Sequence, residues 1–201
     1  LPVLLADDVY LPRHPDTLDV PWKQAADRAP DAADRSVNFA TSDKFNLIYP
    51  DQIYARQEAE DHGRLPEWNP LILGGVPHAA NPLTSVFYPP GWLVLLVDRE
   101  DGPLLAAALH VFLAALFVFM LLRITGLGSV AASVGGACFA LSGWVAAHLQ
   151  NTQIVATVAW WPLGLFAIEA RLRGYARWSL MTLAIALAMM WLAGWPQLAL
   201  L

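Results

Sequence analysis

Apolar and polar positions are distributed differently on the two sides of residue 102. Beyond it apolar residues run almost without interruption, whereas before it charged or polar side chains break every apolar cluster. The apolar part pauses at Gly126 and Gly128, at Asn151 and at Gly174. These pauses predict four helices, at about 103–124, 128–149, 153–170 and 178–201. Each is near the roughly 20 residues that a helix needs to cross a bilayer. Ser133, Gly135, Gly136 and Ala140 give the second helix a small-residue face suited to close packing in lipid. The predicted fold class is an all-α integral membrane protein, a polytopic helical bundle carrying a large first loop.

The front part reads as that loop. Residues 1–5 have the character of a span's tail. The chain starts in LPVLL and stops in LALL, so a fragment of a longer protein is expected, with one span before it and others after it. Residues 6–45 are polar and proline-interrupted, without periodicity. In 50–62 a proline stands at a first helical position, an acid follows and Gly63 stops the run, which predicts a helix. Ile53, Gln57, Tyr49 and Glu60 share one face of it, a thin apolar stripe that fits a helix lying along a membrane surface. Residues 63–90, GRLPEWNPLILGGVPHAANPLTSVFYPP, combine repeated prolines with Gly74-Gly75 and two Asn-Pro pairs. Proline fixes φ and removes a donor, while glycine takes backbone angles closed to other residues. This predicts a shaped, irregular loop rather than a long helix or a ladder strand. The following 91–97 is too short to span and is expected at the interface, re-entrant, or packed on the bundle.

Composition sharpens this picture. The chain is 57% hydrophobic and 14% charged, with a mean hydropathy of +0.44, greasier than an ordinary soluble domain. Sixteen of the 17 acidic residues precede residue 102, against eight basic ones, which excludes a nucleic-acid surface there. The remaining bases are Arg123, Arg171, Arg173 and Arg177, which fall in two predicted inter-helix loops. By the positive-inside bias those loops face the cytoplasm, and residues 6–102 and the turn at 150–153 face outward, as does 194–197 if the last helix breaks there. Nine tryptophans suit aromatic belts: Trp160, Trp161 and Trp92 toward the outer side and Trp178 toward the inner one. The lone Cys138 has no partner for an internal disulfide.

Candidate chemistry concentrates at the outward end. Asp43, alone in ATSDKFNLIYP, has the character of a general base at a membrane boundary, or of a helix cap or solvated charge. Asp7-Asp8 is a rival pair that could hold a divalent cation, or simply mark a membrane exit. His148, Asn151 and Gln153 gather where two predicted helices meet and could hydrogen-bond a phosphate or sugar, or belong to a hydrated turn. His110 reads as a packed interior histidine. Trp68, held between Pro66 and Asn69-Pro70, either stacks on a ligand or plugs the loop onto the bundle, together with Tyr88. No nucleotide loop, zinc spacing or nucleophile elbow occurs.

The 63–90 stretch resembles the signature loop of YfhO-like bacterial membrane proteins, roughly G-x-L-P-x-W-N-P, G-x-P, A-N-P and F-Y-P-P. The likeness continues through ALSGWVAAHLQN, AWWPL with an acid after it, and LAGWPQLALL. Glu67, Lys44 and Trp195 depart from the pattern. The resemblance implies a GT-C-type glycosyltransferase of the bacterial cytoplasmic membrane. Such an enzyme moves a sugar from a polyprenyl-phosphate donor, with inversion, to an extracytoplasmic glycan or polymer acceptor. Within S-D-x-x-x-x-x-Y-P, Asp43 matches the functional aspartate of the first outer loop. Arg56 and Arg64, with His148 and Asn151, become candidates for the departing phosphate. Trp68, Asn69, Asn81, Tyr88, Gln153 and Gln197 become candidates for substrate contacts. No cofactor is implied, save the divalent cation for which Asp7 and Asp8 are candidates. Two other classes stay open, a lipid-linked sugar transporter or flippase and a non-catalytic assembly subunit.

Overall fold

The computed structural model describes residues 47–97, 101–149 and 151–200. Helix α1 (Tyr49–His62) starts at Pro50, where the missing N–H costs nothing, and ends at Gly63, whose left-handed φ of 63° returns its N–H to the Ala59 carbonyl. The face it buries is Asp51, Tyr54 and Ala55. The stripe expected at Ile53 and Gln57 is not that face, because the chain after α1 folds back onto the other side. There Tyr54 donates from its hydroxyl to the Trp68 carbonyl at 2.7 Å.

The proline-glycine stretch contains one short ladder that its composition did not predict. β1 (Trp68–Asn69) pairs antiparallel with β2 (Val76–Pro77), Trp68 opposite Pro77 and Asn69 opposite Val76. Gly74 and Gly75, at φ 81° and 122°, make the reversal possible. Short 3₁₀ turns follow at Pro82–Thr84 and Pro89–Trp92, the latter running into helix α2 (Leu93–Leu96). Of the three placements expected for 91–97, α2 takes the packed one. It lies on the next helix so closely that a Cβ on Gly102 would come within 2.9 Å of the Val94 backbone.

Helix α3 (Gly102–Ile124) is the centre of the bundle. It packs against α4 (Ser129–Ala140), α6 (Thr152–Ala159) and α7 (Trp161–Leu172). Between α4 and α6, α5 (Gly143–His148) is capped by Ser142, which accepts from Val145 N–H at 3.4 Å. The α3–α4 contact runs along Ala132, Gly136 and Ala140, where a Cβ on Gly136 would sit 2.5 Å from the Ala115 carbonyl oxygen. Ser133, expected on this face, is exposed. Among the described residues three helical segments are long and apolar enough to cross a membrane: Gly102–Ile124, Ser129–His148 and Thr152–Leu172. Phe112, Val134, Leu165 and Ile168 are exposed on them, while the interior combines alanines such as Ala114, Ala132 and Ala140 with Phe117, Trp160 and Leu163. That distribution suits helices held by close backbone approach within lipid.

The expected fourth span does not run unbroken to 201. α8 (Ala176–Leu192) stops short, Gly194 turns at φ 100°, and α9 (Pro196–Ala199) restarts behind Pro196. The break is fixed from outside the helix. Ser85 donates to the Ala193 carbonyl at 2.8 Å, and a Cβ on Gly194 would meet Ser85 Oγ and lie 2.6 Å from the Pro82 carbonyl oxygen. Gly194→Ala should therefore push the loop off the bundle as well as strain φ. We expect a loss of about 1–3 kcal/mol, read as a lower melting temperature in detergent and faster hydrogen exchange across 82–88. Unchanged exchange there would refute this account of the break.

Candidate functional site

The loop meets the bundle at one end. Tyr88 reaches α3, Leu83 reaches the start of α6, and Ser85 reaches the end of α8. Helices α3 and α7 run away from that end, so Arg123, Arg171 and Arg173 finish at the opposite one, with Arg177 beside them at the start of α8.

At the centre of the junction is Tyr88, 2% exposed. His110 Nδ1 faces the Ala106 carbonyl at 2.5 Å, so Nδ1 carries the proton and Nε2 is an acceptor. Tyr88 accordingly donates its hydroxyl to His110 Nε2 at 2.7 Å, and accepts from Trp160 Nε1–H at 2.7 Å. Burial pushes the Tyr88 phenol up from its ordinary value, with the Trp160 hydrogen bond opposing. Every polar atom in this chain of three is satisfied, which makes it a clamp between loop and bundle. Trp160 is thus an interior hydrogen-bond donor rather than the belt residue its position in sequence predicts. Trp68, the other expected plug, is half exposed, its ring lying over Gly75 within the hairpin. Tyr88 alone of the pair fastens loop to bundle.

Beside the clamp lies a crevice of about 50 Å³, walled by the first turns of α1, the 84–95 segment and the starts of α3 and α6. Trp92, Val94 and Leu95 give it an apolar side, and Gln52, Thr152 and Gln153 a polar one. Gln153 is 4% exposed and its Nε2 donates to the Leu83 carbonyl at 3.3 Å. Its Oε1, and that of Gln52, are buried without a hydrogen-bond partner among the described residues. Leaving a buried carbonyl unpaired costs roughly 1–3 kcal/mol, so these two are a local cost that the packing of loop on bundle offsets.

A second polar cluster joins α1 to the hairpin. His78, 1% exposed, sets Nδ1 3.6 Å from Asp51 Oδ1 and packs its ring edge-on against Tyr54. Asn69, buried beside them, accepts from Leu71 N–H at 2.9 Å. Burial pushes the Asp51 carboxyl up, opposed by His78 and the Asn69 hydrogen bond, and pushes the His78 imidazole down, opposed by Asp51. The sequence reading missed this pair, since 27 positions separate its members and only the return of the chain through β2 brings them together. A His held below its ordinary pKa gives stability present above about pH 6.5 and lost as pH falls through the folded value. Asp51, held above its own, acts with the opposite sign in more acidic solution. Lowering pH from 7 to 5 should therefore loosen the 67–79 hairpin, and His78→Phe should flatten that dependence in hydrogen exchange. An equal slope in the variant would exclude His78 as its source.

The other expected site residues divide. Asp43, Asp7 and Asp8 lie outside the described residues. Arg56 pairs with Glu60 at 2.6 Å and also donates to the Val97 carbonyl, and Arg64 lies 3.3 Å from Glu58, so each has a glutamate of α1 beside it. Asn81 caps the Pro82–Thr84 turn by accepting from Leu83 N–H. With Asn69 it has a local structural task. His148 stacks on Trp144 at 4.3 Å and donates from Nδ1 to its carbonyl. Asn151 keeps a buried, unpartnered Oδ1, and Gln197 is exposed on α9. Of the whole set, Gln153 and Tyr88 line the crevice. Gln52, which sequence reasoning did not single out, lines it too, and nothing in its local pattern distinguishes it. Among the described residues no group of three or more His, Cys, Asp or Glu could hold a metal ion. Compared with known proteins, the chain matches no family model, no curated protein and no solved structure.

Proposed function

We propose that this chain is a GT-C-type, inverting membrane glycosyltransferase, multi-pass in the bacterial cytoplasmic membrane. It takes a sugar from a polyprenyl-phosphate carrier and places it on an extracytoplasmic acceptor such as a cell-envelope glycan. The observation that carries the reading is the crevice between the signature loop and the bundle, at the end opposite Arg123, Arg171, Arg173 and Arg177. Asp43 stands nine positions before Gln52 in sequence. In this reading Asp43 accepts the proton of an acceptor hydroxyl as that oxygen bonds to the anomeric carbon. The anomeric carbon–oxygen bond to phosphate breaks, and polyprenyl phosphate leaves. With Arg56 and Arg64 already beside glutamates, His148 and Asn151 are the stronger candidates to hold the phosphate.

The decisive experiment supplies the purified chain in nanodiscs with polyprenyl-phosphate hexoses and a glycan acceptor. Acceptor-dependent release of polyprenyl phosphate is expected. Movement of the lipid between leaflets without release would favour a transporter, and neither activity in a folded sample would favour an assembly subunit. Orientation has its own test. On a Cys138→Ala background, Gly63→Cys should react with an impermeant reagent on intact cells and Gly174→Cys should not; the reverse pattern would invert the topology.

A further inference from the structure

The tip of the β1–β2 hairpin is apolar, exposed and free of charge. Residues 68–77, WNPLILGGVP, hold no ionisable side chain. Leu71 is 74% exposed and Leu73 94%, with Pro70, Ile72 and Gly74 exposed around them. The turn is closed by Gly75 N–H on the Ile72 carbonyl at 2.7 Å. It sets Leu73 and Gly74 at φ 52° and 81°, the left-handed pair of a primed hairpin turn. Asparagine, aspartate or glycine takes the first of those positions with less strain than leucine. A leucine there with almost no contact inside the protein gains nothing from its own fold, so its partner lies outside.

The surroundings of the hairpin point to what that partner is. On α8, Leu180, Leu187 and Trp191 form one exposed stripe that ends in an aromatic residue at the loop end of the bundle. Trp191 and the half-exposed Phe87 border a recess of about 80 Å³ together with Ala79 and Asn81, which stand just after β2. The outer apolar surface of the bundle therefore runs on to the base of the hairpin. Several donors of the tip are also settled before it leaves water. Pro70 has no N–H, Leu71 N–H is held by Asn69 Oδ1 at 2.9 Å, and Gly75 N–H by the Ile72 carbonyl. A protein partner is recognised by hydrogen bonds and charge as well as by apolar contact, whereas lipid favours apolar surface on a paired backbone. We propose that the 70–74 tip is a membrane anchor, which inserts Leu71 and Leu73 into the leaflet beside the loop end of the bundle. A turn of this size reaches the depth of other interfacial elements, about 5–10 Å. The proposal rests on the membrane placement in the reading above and not on sugar transfer.

The test places the full chain, on a Cys138→Ala background, in phosphatidylcholine–phosphatidylglycerol nanodiscs with a polarity-sensitive dye on Leu73→Cys. Phe112→Cys, exposed on α3, is the lipid reference, and Asp61→Cys, exposed on α1, is the water reference. The dye at position 73 should shift to the blue, be quenched by a nitroxide near the top of the acyl chains and be shielded from iodide. Leu71→Asp should abolish that lipid quenching, and Leu71→Ala, which removes apolar surface without adding charge, should lower it in part. Hydrogen exchange across 67–79 checks that the hairpin itself persists in both. Iodide access at 73 equal to that at 61 would overturn the proposal. Shielding from iodide without lipid quenching would assign the tip to a second copy or another protein, and would overturn it equally. Quenching undiminished by either Leu71 variant would show that the dye, and not the leucines, enters the leaflet. Lipid quenching at 112 but not at 73 would sink the anchor and leave the spanning bundle intact. Quenching at 73 but not at 112 would uphold the anchor and sink the spanning reading.

Discussion

Tyr88→Phe should destabilise the junction between loop and bundle far more than the loss of one oxygen atom suggests. Phenylalanine keeps the ring and its packing but removes the hydroxyl that serves His110 Nε2 and Trp160 Nε1–H together. Both partners stay buried, and neither has an alternative among the described residues. Each unpaired group costs about 1–3 kcal/mol. The expected result is a clearly lower melting temperature in detergent, with hydrogen exchange rising at 82–92 before the rest. Trp160→Phe should show part of the same loss, and the double variant should cost less than the two single losses combined, since both remove one hydrogen bond. Full additivity, or an unchanged melt for Tyr88→Phe, would show that the clamp does not hold the loop.

Asp43→Asn should abolish sugar transfer without harming the fold. Asparagine preserves size and most hydrogen bonding and removes the proton acceptor, and loss of a general base lowers rates about 10²- to 10⁴-fold. A substitution that removes no structural contact changes stability by no more than about 0.5 kcal/mol. The two readouts therefore separate, and transfer and melting should be measured on the same preparation. Wild-type transfer by a normally folded Asp43→Asn protein would remove Asp43 from the mechanism and pass the role to Asp7 or Asp8. An inactive but folded variant would exclude the assembly-subunit reading.

Local signals were legible in the sequence where one segment settles its own conformation. Pro50 and Gly63 bound α1 as expected, because N1 proline and a left-handed glycine act within a turn of where they stand. Continuous apolar runs of about 20 residues gave the three helices long enough to cross a membrane, since their length and composition need no partner to be read. The expectation of an irregular loop at 63–90 rested on proline and glycine geometry, and the two-residue ladder within it is a small exception. The outcome was different wherever a side chain's task depends on what arrives from elsewhere. Trp68 and Tyr88 looked like equal plugs in sequence; packing left one over Gly75 and sent the other to His110. Asp51 looked like a helix-start acid, until β2 brought His78 beside it.

Continuous apolar runs, proline and glycine thus determined which segments are helical, where α1 starts and stops, and that the chain suits lipid. These are properties of the backbone and of the nearest few residues. Tertiary structure decided what closes on the break after α8, since Pro82 and Ser85, more than a hundred positions away, come up against Gly194. It decided that Asp51 faces His78 and that Gln52 faces the same crevice as Gln153. Those pairings join residues with no shared period or motif, and they arise only when burial forces distant polar groups into one space where water cannot serve them.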